Sequence, residues 1–269
     1  MGLSGVQTRM FQRRRVRCHG CNTVRHNSSN SLGWRLASRV LLGRTPMSDI
    51  SVTRHEKGAW TDEVFEAIAR LLGPGTGPGR AVLEHELLRC DLLYLATDLD
   101  GPCAFLLGAR VRLPVGPERR PARYLGLSVA RSERGHEALL ERFTAEARDE
   151  EESRGVRVVL FTAAATPLAV RTAETHWSDL QPAPDASFRE DVLPVADAAR
   201  AWLGATVSLD RPFALPRLTC GGGDWRRTLD EGGGGELFRR MGIEQAQGDR
   251  LLLLCSVPGR ERVLSAQAA

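Results

Sequence analysis

The chain has 269 residues, a formal net charge of +4, a hydrophobic content of 42% and a charged content of 26%. These values are ordinary for a globular domain, and the apolar runs are far shorter than the roughly 20 residues that span a bilayer, which argues against a membrane protein. Six cysteines are too few for a disulfide scaffold in a chain this long. We therefore expect a reducing compartment, the cytoplasm.

The charge is divided unevenly along the chain. The first 48 residues contain nine arginines and no carboxylate, so the remaining residues hold 28 basic and 33 acidic side chains, a net charge of −5. This break predicts a basic leader over 1–48 and a folded domain over 49–204. We expect the C-terminal strands and glycine-rich loops over 205–269 to complete the same domain.

The leader allows three interpretations. Its arginines and serines are typical of an organellar transit peptide, which would imply import into an organelle. Translation from Met47 is the interpretation we favour, because the composition becomes that of a folded domain there. A nucleic-acid tether through the arginines at 13–17 is weaker, since flanking aromatics are few. The segment from Cys18 to His26 lacks the second ligand pair of a structural zinc site, so we predict no metal.

Hydrophobic periodicity predicts the elements that follow the leader. Thr61 is the expected cap of the first helix, and Gly73 its end. The first elements in chain order are a helix over Trp60–Leu72, a helix through Leu83, Leu87 and Leu88 toward Asp91, antiparallel strands from Leu92 and from Cys103 joined by a turn at Asp98–Gly101, and a polar loop over Pro114–Pro121.

The second half alternates strands and helices. This order predicts a parallel crossover between the strands at Tyr124 and Val156. The glycine runs Gly221–Gly223 and Gly232–Gly235 lack the flanking residues of a phosphate cradle, so we expect loops there. The remaining elements are a central strand over Arg123–Ala130, an amphipathic helix from near Gly135 with a solvated acidic end at Asp149–Glu152, a buried strand from Val156, helices over about Pro167–Trp177 and Asp191–Leu203, and closing strands in FALPRL and DRLLLLCSV.

One strand, turn and helix lie in YLGLSVARSERGHEALLERF, from Tyr124 to Phe143. The amides of such a turn and the positive end of the helix attract an anion. This segment, with the element order from Ile50 to Trp177, resembles the GNAT superfamily of acyl-CoA-dependent N-acyltransferases. The resemblance implies one α/β domain with a mixed central sheet flanked by helices. It also implies acetyl-CoA as acyl donor and an amine, on a small molecule or a peptide, as acceptor.

The family holds the CoA pyrophosphate in an Arg/Gln-x-x-Gly-x-Gly/Ala turn. Matching Arg134 and Gly135 to this motif leaves about three residues missing, whereas matching Arg131 puts Arg134 and His136 at glycine positions. In relatives a backbone amide late in the central strand polarises the thioester carbonyl. The cofactor-binding residues implied by the resemblance are Leu127, Val129, Arg131, Ser132, Glu133, Arg134, Gly135, His136 and Thr166.

The family's proton-donating tyrosine falls on Ala173 in this sequence. His176, one helical turn further, is a proton donor or a helix-end residue. For the general base the central strand offers Tyr124 and Ser128, and the helix that lines the acceptor site in relatives offers Glu84 and Glu86. The catalytic candidates are therefore Tyr124, Ser128, His176 and Glu84, with Glu86 beside the last.

Three hypotheses for the whole protein follow. The first is an N-acetyltransferase in which the amine attacks the thioester directly. The second is a catalytically inactive binding module on the same fold, suggested by the incomplete turn and by Ala173. The third is an unrelated α/β domain. The strands at Tyr124 and Val156 separate the third from the others, because a GNAT-like sheet requires them to be parallel neighbours that diverge at their C-terminal ends.

Overall fold

The computed structural model describes residues 50–73, 80–205, 210–216, 218 and 234–257. The leader and Gly221–Gly223 lie outside the described residues, so the interpretations of both stay predictions. Of the second glycine run, Gly234 and Gly235 are described, and they begin a helix instead of forming a loop. No helix in the described ranges is long and apolar enough to cross a membrane.

The described chain forms one mixed sheet with helices against it. Its strands are β1 Ser51–Glu56, β2 Leu92–Asp98, β3 Gly101–Val115, β4 Glu118–Ala130, β5 Val159–Ala164, β6 Ser178–Gln181, β7 Ala214–Leu215 and β8 Arg250–Ser256. Its α-helices are α1 Asp62–Leu72, α2 Arg80–Arg89, α3 Glu133–Arg154, α4 Pro167–His176, α5 Leu193–Trp202 and α6 Gly234–Arg240. Three short 3₁₀ helices cover Lys57–Ala59, Glu190–Val192 and Gln245–Gln247.

The strand order is β1-β2-β3-β4-β5-β8-β6, and β7 also pairs with β8. Among the described strands, β4 and β5 are the one parallel pair, and α3 makes the crossover between them. The other pairs are antiparallel. The predicted fold class, a mixed central sheet flanked by helices, is confirmed.

The parallel strands β4 and β5 separate toward their C-terminal ends, as the sequence analysis expects. Their pairing begins at Ala122 opposite Val159 and ends at Leu125 opposite Thr162, although β4 continues to Ala130. At the same place β4 has a β-bulge in its pairing with β3, because Gly126 and Leu127 together stand opposite Leu107. A bulge bends its strand and increases the local twist. The result is an opening in the sheet beyond Leu125, as a GNAT-like domain requires.

The two faces of the sheet are covered by different helices. Arg123 of β4 binds Glu146 and Glu150 of α3, whereas the next residue, Tyr124, binds Glu86 of α2. Successive strand residues point to opposite faces. α3 and α2 therefore lie on opposite sides of the sheet. The ring of Trp202 contacts Tyr124, which places the end of α5 on the α2 side.

The polar stretch Pro114–Pro121 is a hairpin and not the predicted loop. β3 runs to Val115 and β4 starts at Glu118, with a positive φ of 60° at Gly116 between them. The prediction was wrong because charge and proline were taken as loop signals. At the end of a long hairpin the side chains of Glu118, Arg119 and Arg120 are exposed, so their charge costs the strand little.

Smaller corrections concern single residues and two strands. Thr61 stands at the N-cap of α1, but its side chain makes no capping hydrogen bond. Leu88, predicted on the apolar stripe of α2, is 69% exposed. The acidic run at the end of α3 is only partly solvated, because Glu150 pairs with Arg123 and Arg154. The sequence analysis did not identify β1 or β6 as strands.

The apolar stripe of α3 is confirmed. Leu139, Leu140, Phe143 and Ala147 are fully buried against the sheet. Ser132 caps the helix by accepting a hydrogen bond from the Gly135 amide, and Gly155 ends it in a left-handed conformation. These caps and this stripe fix where the N-terminus of α3 meets the end of β4.

Candidate functional site

The candidate site surrounds the opening between β4 and β5. The β4 residues directly before the opening, 121–125, are buried, whereas 126–129 are half-buried. Leu127 has no cross-strand partner because it lies in the bulge, while Val129 is in register with Phe105 of β3. The backbone amides of Leu127 and Val129 are the two predicted to polarise the thioester carbonyl. Of these two residues, Leu127 is the one without a register partner in β3.

The turn between β4 and α3 is tightly packed. The Arg131 amide donates to the Cys103 carbonyl at 2.9 Å, and the Gly135 amide donates to Ser132 Oγ at 3.2 Å. A methyl group at Gly135 would lie 3.2 Å from both Ala104 Cβ and Cys103 Sγ. A glycine at this position lets α3 approach the sheet closely. The amides of Glu133 and Arg134, in the first turn of α3, have no acceptor within the helix.

The two arginines of the turn differ. Arg131 donates from its guanidinium to the carbonyl of Arg70 at 3.0 Å, so it ties the turn to the C-terminal part of α1. Arg134 is exposed and has no ion-pair partner among the described residues. Glu133 is exposed in the same turn and opposes an anion there. Of the predicted cationic residues, Arg134 is the one available to a phosphate.

Ser128 and His136 meet on the α3 side of the opening. Ser128 Oγ lies 3.3 Å from His136 Nε2, within hydrogen-bond distance. Burial lowers the pKa of His136, and the nearby His176 lowers it further. His136 is therefore neutral near pH 7 and can exchange a proton with the Ser128 hydroxyl. The structure thus brings together Ser128, His136 and His176, three residues that the sequence analysis had named separately.

The start of α4 matches the expected motif only in part. Thr166 is the N-cap, and its Oγ1 accepts from the Ala169 amide at 3.4 Å. Ala173 is fully buried in the core. His176 is the last residue of α4 and is half-buried. Thr166 is thus held by a structural hydrogen bond, and no tyrosine of α4 is present to donate a proton.

A buried carboxylate lies on the α2 side of the opening. Glu86 is 6% exposed and accepts a hydrogen bond from the Tyr124 hydroxyl at 3.3 Å. A methyl group at Gly126 would come within 2.5 Å of Glu86 Oε2, so this carboxylate is against the bulge of β4. Burial and the neighbouring Glu86 raise the pKa of Tyr124 well above its ordinary value. Tyr124 is therefore a hydrogen-bond donor here and not a base.

Arg89 holds this carboxylate in place. Its Nη1 lies 3.6 Å from Glu86 Oε1, and its Nη2 donates to the Leu203 carbonyl at 3.0 Å. The guanidinium also lies over the rings of Tyr124 and Trp202, at 5.9 and 5.5 Å from their centres. Cation–π contacts and the ion pair together offset part of the cost of burying two charges.

The sequence analysis preferred Glu84 to Glu86 as the candidate base, and the two residues differ in burial. Glu84 is exposed on α2, whereas Glu86 is buried beside the opening. The signal for this difference was in the sequence: Val82, Glu86 and Cys90 repeat every four residues, which places them on one face of the helix. All three are buried. The geometry therefore favours Glu86 as the carboxylate of this site.

The site has no cluster of metal ligands. Within the described ranges, no group of three histidine, cysteine, aspartate or glutamate side chains is close enough to hold a metal ion. The free cysteines of this part, Cys90, Cys103 and Cys255, are buried. Burial raises the pKa of Cys90 well above its ordinary value, and the charge of Glu86 adds to the effect. Cys90 therefore packs as a thiol beside the carboxylate.

Comparison with known proteins gives only distant similarities. No protein-family model matches the sequence, and no curated protein matches it. A conserved protein of unknown function from Enterococcus faecalis, described as a probable N-acyltransferase, is 13% identical over 49% of this chain and 33% of its own, with a TM-score of 0.35. The present chain thus spans about a third of that protein.

Two toxins are matched at similarly low scores. A mutant of the AtaT toxin, bound to the C-terminus of the antitoxin AtaR and to acetyl-CoA, is 13% identical over 47% of this chain and 82% of its own, with a TM-score of 0.32. A bacterial toxin is 10% identical over 82% of this chain and 97% of its own, with a TM-score of 0.36. Because these similarities are low, the fold class rests on the strand order and on the divergence of β4 and β5.

Proposed function

We propose that this protein is an acyl-CoA-dependent N-acyltransferase that transfers an acetyl group to an amine. The observation that carries the proposal is the opening between β4 and β5, with the N-terminus of α3 at one side of the sheet and the buried Glu86 at the other. An opening of this kind lets a donor and an acceptor meet from opposite faces. The acceptor is an amine on a small molecule or a peptide.

The residues at the opening fit a CoA thioester. Beyond Leu125 the β5 side of β4 has no strand partner among the described residues, so the half-buried backbone over 126–129 offers one free edge to an extended arm, in the way that one strand pairs with another. The first-turn amides of Glu133 and Arg134, with the Arg134 guanidinium, would hold the pyrophosphate. Glu133 lowers the affinity, so we expect binding weaker than a glycine-rich turn provides. The thioester supplies the activated acyl group.

The proton transfers use groups on the two faces. In the proposed reaction the amine nitrogen forms a bond to the acyl carbon while its proton moves to the Glu86 carboxylate. The Leu127 amide would stabilise the negative charge that develops on the carbonyl oxygen. The carbon–sulfur bond breaks, and the departing thiolate takes a proton from His176 or from the Ser128 and His136 pair. Tyr124 and Arg89 position Glu86 and do not themselves react.

A second candidate function is a binding module without catalysis. Two observations favour it: the tyrosine position of the family is the fully buried Ala173, and the turn after β4 carries charged side chains in place of glycines. A protein of this kind would bind an acyl-CoA or a partner through the same opening without turnover.

A calorimetric titration with acetyl-CoA tests the proposal. We expect saturable binding at millimolar or lower concentration, weakened in Arg134→Gln and unchanged in Arg171→Gln, which alters an exposed arginine of α4. Absence of binding at millimolar acetyl-CoA would refute both the enzyme and the acyl-CoA-binding module. Binding without acetylation of any amine in a panel of polyamines, amino acids and peptides would favour the module.

A further inference from the structure

A groove with a volume of about 680 Å³ lies at the other end of β4, away from the opening. The beginning of β4 forms one wall, and the residues that precede β5 form the next. β6, the segment around Arg189 and the end of β8 complete it. We call it the Arg119 groove. Nothing in the proposed reaction uses it.

The floor of the Arg119 groove is apolar. Val158, Val195 and Leu254 line it, and all three are buried parts of the core. Val156 at the rim is 46% exposed, although most large apolar side chains of the described residues are buried. A single exposed valine is ordinary on a protein surface, so the case for a bound ligand depends on the charges and the backbone of the groove.

The charges of the rim are not balanced within the fold. Arg120 lies 4.0 Å from Glu118, and Arg189 lies 3.1 Å from Asp191, so these two arginines have partners. The lining holds three carboxylates, those of Glu118, Asp179 and Asp191, against four arginines. Asp179, Arg119 and Arg157 are exposed and have no ion-pair partner in the described part of the chain, so the positive excess lies with the two arginines. A ligand with carboxylates would complement them.

The start of β4 has no strand partner on the groove side among the described residues. Residues 118–121 pair with β3, but the pairing of β4 with β5 starts only at Ala122. One edge of this stretch therefore has no neighbouring strand among the described residues. Unpaired strand edges bind extended peptides through main-chain hydrogen bonds, and neighbouring side-chain sites then give specificity.

We propose that the Arg119 groove binds an extended acidic peptide segment of a partner protein, which pairs with β4 over 118–121. Acidic side chains of the segment contact Arg119 and Arg157, and its apolar side chains cover Val156 and the floor. The arginine-rich leader of this chain has the wrong charge for this position. The inference is independent of the acyltransferase proposal, because it concerns the other end of the strand.

The probe for the experiment is a fluorescein-labelled eight-residue peptide of alternating glutamate and valine, titrated with the full chain and followed by fluorescence anisotropy. We expect saturable binding at low salt that weakens as the salt concentration rises. The double change Arg119→Gln with Arg157→Gln should weaken binding about fivefold or more, because two exposed ion pairs are lost. Arg171→Gln is the matched control and should bind as the wild type does.

Three results would overturn the inference: no saturable binding, equal binding of a peptide with glutamine in place of glutamate, or unchanged binding by the double variant. Hydrogen exchange supplies the test of strand pairing. Bound peptide should slow the exchange of backbone amides within residues 118–120, and binding without such slowing would overturn the pairing with β4. Both arginines are exposed, so thermal unfolding of the variants should match that of the wild type.

Discussion

Glu86 shows how a single buried charge is supported. A carboxylate taken out of water is costly unless other groups bind it. Here the Tyr124 hydroxyl donates to it, and Arg89 forms an ion pair with it at 3.6 Å. Tyr124 and Arg89 thus hold a charged carboxylate at the edge of the opening in the sheet. The role proposed for Glu86 follows from this position.

The first prediction concerns Glu86 itself. Glu86→Gln should lower kcat for amine acetylation by roughly 100-fold or more, because the amide cannot take the proton of the attacking amine. Steady-state kinetics at saturating acetyl-CoA measures the effect. Glu84→Gln, the same change at an exposed position of the same helix, should leave kcat within about twofold, since it lies outside the site.

The substitution also leaves Arg89 beside a neutral group, so folding must be checked separately. Thermal unfolding and circular dichroism report whether Glu86→Gln stays folded at the assay temperature. Glu86→Asp keeps the charge and shortens the side chain, and an intermediate kcat is expected for it. Equal kcat in wild type and a folded Glu86→Gln would remove Glu86 from the mechanism.

The second prediction concerns His136 and pH. Burial lowers the pKa of His136 in the folded protein, so the unfolded chain binds this proton more readily than the folded one. Above the ordinary histidine pKa of about 6.5, His136 is neutral in both the folded and the unfolded chain. As the pH falls below this value the unfolded chain takes up the proton first, and the folded protein loses stability. The free energy of unfolding should therefore fall between pH 7.5 and pH 5.5.

Urea denaturation at the two pH values provides the measurement. His136→Gln should lose less stability than the wild type over this interval, because the glutamine cannot take up a proton. The comparison uses the difference between the two pH values, so the loss of the Ser128 contact, which lowers stability at both, does not affect it. An equal pH dependence in both proteins would contradict the assignment.

At the scale of elements, the opening depends on the bulge of β4. Gly126 and Leu127 share one position opposite Leu107, and this extra residue turns the strand away from β5. The bulge also brings the backbone of Gly126 against Glu86. A glycine is required at this point by the approach of the α2 side chain, since the φ angle of Gly126 is not in the left-handed region.

The third prediction tests that approach. The methyl group of Gly126→Ala would lie 2.5 Å from Glu86 Oε2 and 3.1 Å from the Leu107 carbonyl oxygen. The carboxylate must move, so we expect a loss of about 1–3 kcal/mol in the free energy of unfolding together with a lower kcat. Gly58→Ala is the control, because nothing lies within 4 Å of its added methyl group.

Chemical denaturation and amine acetylation assays measure both effects on the same preparations. An unchanged free energy of unfolding and an unchanged kcat in Gly126→Ala would show that the carboxylate does not lie against the bulge. A change of similar size in Gly58→Ala would show that the loss has nothing to do with the site.

At the scale of the whole molecule, the net charge of +4 does not describe the residues that follow the leader. The positive excess belongs to the first 48 residues, and the rest of the chain carries −5. The roles proposed for Arg134 at the α3 turn and for Arg119 at the groove depend on the local surroundings of each residue and not on the total charge.

The fourth prediction follows from this division. Deletion of residues 1–46 should leave the thermal unfolding temperature and the affinity for acetyl-CoA unchanged, because the site residues and the described core lie after this segment. Differential scanning calorimetry and the acetyl-CoA titration measure the two quantities. Loss of either on deletion would show that the leader belongs to the folded protein.

The sequence by itself determined the order of the elements from Trp60 to Trp177 and the buried face of α3. Apolar residues at helical spacing, as in the stripe from Leu139 to Ala147, are sufficient for this because burial follows periodicity. The turn at Asp98–Gly101 and the end of α1 at Gly73 were also predicted, because each depends only on residues that are neighbours in the sequence. The hairpin over Pro114–Pro121 was missed because its strand character comes from pairing with β3, a partner that local composition does not reveal.

Only the tertiary structure decided which polar residues meet. Ser128 and His136 are eight residues apart in the sequence, and Glu86 and Gly126 are forty apart, yet each pair is in contact across the fold. The bulge of β4 and the end of its pairing at Leu125 arise from the packing of several strands together. A functional site is set by such long-range contacts, whereas the elements that carry it are set by short-range periodicity.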